Sequence, residues 1–450
     1  MFAIKTIACR ALLAGAMVTF YAQSALAALP VQHWTQPSGA KVYLVESHVI
    51  PMVDVQIDFD AGGRRDPADK AGLASVTAAM TSKGIAARDG LPGLDENQLS
   101  EAWADLGADF GGSAGTDRMS FSLRSLSYPD LLPKAAQLAA RQLGEPAFPD
   151  SVWLRDRERM SASIREANTR PATVAGRAYA AAVYGTHPYG YETTEASLAN
   201  INIQDMRQMY RRFVEPCRAK VSIVGDVTRA QADRLVTTLL ARLPLRVPAR
   251  CEPLPAVAEV APLAAPVAQA IPFESAQAHV LIGQPGYKRS DPDYFALLVG
   301  NYILGGGGFV SRLTTEVREK RGLSYSVYSY FSPGLHAGAF TVGLQTRPDQ
   351  AAQAVQVSRD VLAQFVADGP ADTELKAAKD NLIGGFALRI DSNRKLLDSI
   401  SSMAWNNLPL DYLDTWTQQV DKVSVADIKA AFARKLQPEK MVTVILGAAP

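Results

Sequence analysis

Histidine is scarce in this 450-residue chain, cysteine scarcer, and neither is placed for the common hydrolytic chemistries. The five histidines are His33, His48, His187, His279 and His336, and no two stand within four residues of each other. A zinc peptidase helix needs two imidazoles on consecutive turns to fix two corners of a tetrahedron. Neither H-E-x-x-H nor H-x-x-E-H can therefore be drawn from the sequence. There is no G-x-S-x-G elbow, and no cysteine stands near a histidine in a nucleophile's setting. A surplus of charge is missing too. The formal net charge of +1 gives no footprint for nucleic acid or an anionic membrane. "LGGGGF" (Leu304–Phe309) has neither the Lys-Ser/Thr of a phosphate loop nor the spacing of a dinucleotide fingerprint. It reads as a hinge or a close approach of backbone.

The longest apolar run near the start, "ALLAGAMVTFYA" (Ala11–Ala22), is too short to span a bilayer. It follows Lys5 and Arg10 and precedes "ALA" at Ala25–Ala27, the pattern of an export signal with a small-x-small cleavage site. The expectation is a periplasmic protein, cleaved after Ala27 and without membrane insertion. Cleavage leaves 450 − 27 = 423 residues and, with Lys5 and Arg10 gone, a net charge of −1. Of the three cysteines, Cys217 and Cys251 then remain. In an oxidising compartment they can pair, or both can stay free; the sequence leaves this open.

Seven prolines fall among the 29 residues from Pro244 to Pro272. That density blocks helix and central strand alike and predicts an extended linker. The expected organisation is a signal at 1–27, one half at 28–243, the linker at 244–272 and a second half at 273–450. The halves are related. "INIQDMRQMYRRFVEPCRAKVSIVG" (Ile201–Gly225) lies without gaps on "VSVADIKAAFARKLQPEKMVTVILG" (Val423–Gly447) at an offset of 222. Asp205, Arg212, Pro216, Ile223 and Gly225 recur as Asp427, Arg434, Pro438, Ile445 and Gly447. The unit is a helix with an Asp in its first turn, a proline-bearing exit and a β-rich run ending in glycine. Elsewhere "MVDVQIDFDAGG" (Met52–Gly63) alternates as a half-buried strand, with Asp54, Asp58 and Asp60 on an open face that either lines a chamber or meets solvent. Strands and helices in each half predict an α+β fold with helices packed on one face of a sheet.

"LGGGGFVSRLTTEVREKRGLSYSVYSYF" (Leu304–Phe331) closely resembles a signature of the C-terminal half of the pitrilysin (insulinase, inverzincin) family of zinc peptidases. "AGGRRDPADKAGLASVTAAMTSKG", "YGTHPYG" and "IVGDV" follow that family's order and spacing, so the resemblance runs over nearly the whole mature chain. It implies two homologous halves, each a mainly antiparallel sheet with helices on one face, together forming half of a clamshell. Active members carry H-x-x-E-H on the helix matched by "GLASVTAAM" (Gly72–Met80). Here those positions hold Ser75, Ala78 and Ala79, and the family's third ligand, a Glu, falls at Ser163, between Glu158 and Glu166. The resemblance therefore implies no metal in this chain.

The family also uses an arginine and a tyrosine from the C-terminal half, matched by Arg318 and Tyr325. Val310, Leu313 and Val317 predict an apolar stripe on the preceding helix, and Gly322 can end it in the left-handed conformation. Arg318 and Tyr325 can then converge on a peptide carbonyl, or serve the helix dipole and the core. Some members of the family split the site between two subunits, one with H-x-x-E-H and one with the Arg/Tyr pair. The implied function is the second kind: a non-zinc-binding subunit, inactive alone, that pairs with an H-x-x-E-H homologue carrying the zinc and acts on peptides. "DFGGSAGTDRMSF" (Asp109–Phe121) resembles the edge strand on which the family lays its substrate. An inert scaffold or peptide-binding homologue is the alternative.

Overall fold

A computed structural model describes residues 30–244 and 251–447. The expected export signal at 1–27 lies outside the described residues. The first half builds a six-stranded sheet from β1 (Gln32–Thr35), β2 (Lys41–Glu46), β3 (Met52–Phe59), β4 (Asp109–Ala114), β5 (Met119–Leu126) and β6 (Lys220–Gly225), in the order β1-β2-β6-β3-β5-β4. Its helices include α1 (Leu73–Met80), α2 (Asp150–Ala167), α3 (Pro171–Tyr184) and α4 (Ile203–Phe213). The second half builds a five-stranded sheet from β7 (Val267–Ile271), β8 (Ala278–Pro285), β9 (Val327–Phe331), β10 (Ala339–Thr346) and β11 (Val442–Leu446), in the order β9-β10-β8-β11-β7. α5 (Asn393–Trp405) and α6 (Val425–Lys435) belong to it.

The repeat survives as geometry. Asn202 caps α4 and Ser424 caps α6, each in a capping box completed by Asp205 or Asp427. A 3₁₀ turn opens on Pro216 in one copy and Pro438 in the other, and β6 or β11 follows. Each of those strands has a parallel neighbour, β2 or β7, and an antiparallel one, β3 or β8. β4 and β9 then occupy the same rim of the two sheets. The fold is two copies of one α+β unit. Val267–Ile271, inside the stretch read as linker, is the strand β7, whose alternating exposure suits a rim position.

The halves are joined by exchange. Helices of each half cover one face of its own sheet, and one helix from the opposite half crosses the other face. α3 of the first half lies over β8 and β11. Its Ala175, Tyr179 and Val183 pack with Ala339, Val442, Val444 and Leu446. The Tyr179 hydroxyl donates to the Phe340 carbonyl at 2.8 Å, and a Cβ at Gly283 would collide with it. α5 of the second half returns the arrangement over β6 and β3. Lys220 closes its C-terminus, donating to the carbonyls of Ala404 and Trp405 and to Asn407 Oδ1, each at 2.9 Å. Burial draws the Lys220 ammonium down to about 8.

This exchange overturns the open acidic face expected for β3. Asp54 and Asp58 are buried, because α5 roofs the strand from some 340 residues downstream. Asp58 accepts from Arg118, Ser120 and Gln56, while Arg118 and Gln56 also reach Ser401 Oγ on α5. Only Asp60 remains partly exposed, paired with Arg64 and Arg65. A single-strand alternation carries no information about what covers it.

The described part of the linker is strapped down as well. Cys217 and Cys251 are joined in a disulfide, with Cα atoms 5.7 Å apart, worth about 3–4 kcal/mol by loop closure. Arg65 donates to the Pro255 carbonyl. His187 of the "YGTHPYG" motif has a defined tautomer: Nδ1 accepts from Tyr189 N–H at 3.1 Å, so Nε2 carries the proton and donates to the Ala258 carbonyl at 2.9 Å. His336 from the second half stands against it, ring centroids 5.2 Å apart, and bonds Glu259 at 3.1 Å. Burial holds the His187 pKa below its ordinary 6.5.

The unfolded chain therefore takes up that proton first. The contribution is complete above about pH 6.5 and is lost as pH falls through 6.5 toward the lower folded value. The expected outcome is a denaturant midpoint that drops between pH 7 and 5.5 in the wild type, and drops less in His187→Phe.

Candidate functional site

Two places matter: the α1 helix, where the resemblance puts metal ligands, and the segment Asn301–Tyr330. On α1, Ser75 and Ala79 are exposed one turn apart and Ala78 is buried. Ser163 is exposed on α2, as are Glu158 and Glu166. Beside Ser75 is a cavity of about 260 Å³, lined also by Gly63, Asp66, Ala114, Tyr189 and Thr193. Its one carboxylate is already used. Asp66 accepts the N–H groups of Gly72 and Ala74, both at 2.9 Å, and so caps α1. Burial pushes its carboxyl up to about 7. A hydroxyl and two methyl groups where zinc needs two imidazoles and a base do not fit the metal. Among the described residues, the one cluster of ligand type is Glu215, Cys217 and Cys251, and its sulfurs are joined to each other.

The second place is built on the glycine run. Residues Tyr302–Gly306 and Thr314–Glu319 form wide, π-helical turns. Gly305, Gly306 and Gly307 approach neighbouring atoms closely, whereas Gly308 has open space. A Cβ on Gly305 would sit 2.5 Å from Ser329 N, on the rim strand β9. Asn301 locks that contact: its Nδ2 donates to the Ser329 carbonyl at 3.1 Å, and its Oδ1 accepts from Ser329 Oγ at 2.8 Å. The chain then turns at Gly308 (φ +62°) and re-enters helix at Ser311. Leu313 and Val317 are buried as expected, but Val310 is 74% exposed. It belongs to the turn before the helix and faces away from the core. Gly322 is left-handed (φ +61°), and its N–H closes on the Arg318 carbonyl at 2.8 Å.

Arg318 and Tyr325 are brought together across this turn, with Arg318 Cζ 5.0 Å from the Tyr325 ring centroid. The neighbouring cations are neutralised: Glu316 holds Lys320 and Arg321, each at 2.6 Å, and Arg312 makes a two-pronged bond to Glu374 at 2.7 Å. Arg318 has no side-chain hydrogen bond or ion pair among the described residues. Tyr325 is 83% exposed. Neither side chain is core, and the guanidinium pairs with no carboxylate among the described residues. The pair presents free N–H and O–H donors at the surface, which can hold a carbonyl oxygen or an oxyanion. One member of this site escaped the sequence reading. Phe309, 68% exposed, places its ring 4.7 Å from Arg318 Cζ. A lone aromatic inside a glycine run has no period to mark it.

Comparison with known proteins finds matches to both halves of the chain. Residues 41–197 match the family described as Insulinase (Peptidase family M16), and residues 200–382 match the one described as Peptidase M16 inactive domain. A Pseudomonas fluorescens structure described as a peptidase M16 inactive domain is 34% identical, with a TM-score of 0.87, covering 94% of this chain and 98% of that one. A non-peptidase homolog, YmxG, of Helicobacter pylori is 26% identical over 400 residues, 86% of this chain and 88% of the other. An uncharacterized zinc protease of Streptomyces coelicolor is 32% identical over 228 residues, about half of each chain.

The packing of the glycine run yields a direct test. Gly305→Ala is expected to cost about 1–3 kcal/mol by overpacking against Ser329, measured by urea unfolding. Gly308→Asn, with open space and a tolerated left-handed backbone, should leave the midpoint nearly unchanged.

Proposed function

The chain belongs to the M16 (insulinase) peptidase family as a non-catalytic homologue, and from that premise we propose that it is one subunit of a heterodimeric periplasmic endopeptidase. Its partner is a homologue bearing H-x-x-E-H, and the metal chemistry belongs to that subunit. This chain supplies Arg318 and Tyr325. The guanidinium N–H groups and the phenol O–H orient a peptide carbonyl and hold the negative charge that grows on its oxygen during attack. They add nothing to the nucleophile, so the chain alone does not cleave.

The observation that carries this reading is the state of Arg318: a surface cation among paired cations, with its donors free and an exposed tyrosine beside it. A residue serving only the helix dipole has no use for such a neighbour. The inert-scaffold reading draws support from the non-peptidase description of the Helicobacter relative, but it gives no reason for this arrangement.

The test is co-purification from the native periplasm, with metal analysis and peptidase assays on each subunit and on the pair. Zinc is expected with the partner alone, and cleavage with the pair alone. Tyr325→Phe should leave the pair assembled and lower its turnover at least tenfold, toward the roughly 10²–10³ that losing one oxyanion donor costs. Stoichiometric zinc in this chain, or unchanged turnover in the mutant pair, would overturn the proposal.

A further inference from the structure

We infer that Phe309 is a positioning residue for Arg318, one half of an aromatic clamp whose other half is Tyr325. An arginine side chain has many rotamers to lose when it is held in one place, and a carboxylate partner is one way to hold it. That solution spends its N–H donors on the carboxylate. Here Glu316 and Glu374 are engaged by Lys320, Arg321 and Arg312, and two rings do the holding instead. Arg318 Cζ lies 4.7 Å from the Phe309 centroid and 5.0 Å from the Tyr325 centroid. Among the described residues the two rings make no contact with each other, and Arg318 Cζ lies over each of them. A ring face attracts the cation through its quadrupole and leaves the in-plane N–H groups unspent. The clamp fixes the head and keeps every donor available.

The cost of this arrangement is visible. Phe309 and Val310 project into solvent at the tip of the glycine run, where a Phe buries little and gains little by the hydrophobic effect. Nothing in the core calls for a ring there. The left-handed Gly308 and the rim contact of Gly305 set the tip beside Arg318. Among the described residues, five of the twelve exposed large apolar side chains (Phe309, Val310, Tyr325, Tyr328 and Tyr330) fall within the 22 residues from Phe309 to Tyr330. The role in catalysis rests on the heterodimer reading; the clamp itself does not.

The experiment separates the two. In the full chain, the Arg318 Nε–H resonance is identified by its loss in Arg318→Lys and followed through Phe309→Ala, Phe309→Leu and Phe309→Trp. Ring shielding should move it upfield in the wild type. It should relax in Ala and in Leu, which keeps bulk but has no ring, and return in Trp, with the unfolding midpoint unchanged throughout. An Arg318 resonance indifferent to all three variants overturns the inference, whatever the pair does. In the co-purified pair, Phe309→Ala should lower kcat roughly tenfold with KM little changed, and Phe309→Trp should restore most of it. A resonance that moves while kcat does not would leave the clamp standing and overturn its positioning role in turnover. A chain with the expected resonance and no active pair would sink the heterodimer reading instead, and the clamp would stand.

Discussion

Each of the two large sheets in this protein is covered on one face by a helix that belongs to the other half. A sheet buried on one face only must still cover the second or leave it wet. Here α3 covers β8 and β11, and α5 covers β6 and β3. Each crossing helix rests on one copy of the repeated strand, β6 or β11. Duplication thus supplied both the surfaces and the means of closing them. The polar details are specific to each junction: Tyr179 on the Phe340 carbonyl in one, Lys220 and the Asp58–Arg118–Ser401 network in the other. Everything that positions Arg318 is anchored to a second sheet whose inner face depends on the first half.

The two halves present different things. In the first, the helix that the resemblance matches to a metal site is capped by Asp66 and packed, and carries hydroxyl and methyl groups where ligands would stand. In the second stand wide helical turns, Gly305 pressed against β9, a cation with no hydrogen bond or ion pair among the described residues, and exposed rings. Structure that serves stability alone tends to bury its aromatics and pair its charges. The contrast between the halves is the physical content of the functional proposal.

Much of this was legible in the chain itself. The repeat showed because a helix with an Asp in its first turn, a proline and a β-rich run recur at one spacing, and these are local signals. Arg318 and Tyr325 stood out through the family resemblance and a seven-residue interval that a single Gly322 turn can close. What sequence could not reach was long-range. The acidic alternation of β3 reads as an exposed face until α5 is placed on it. Val310 fits an apolar stripe by count but precedes the first helical residue. Phe309 has no periodic neighbour, and its meaning comes only from the guanidinium beside it.

The cystine between Cys217 and Cys251 has a consequence for how the molecule fails. A protease that nicks the chain anywhere between those residues produces two fragments that stay covalently tethered. A nick farther along, in the strapped stretch before Val267, severs the covalent path but leaves each fragment seated under a helix of the other. The molecule should therefore survive as a complemented pair of pieces, and neither piece is a domain that can be prepared by itself.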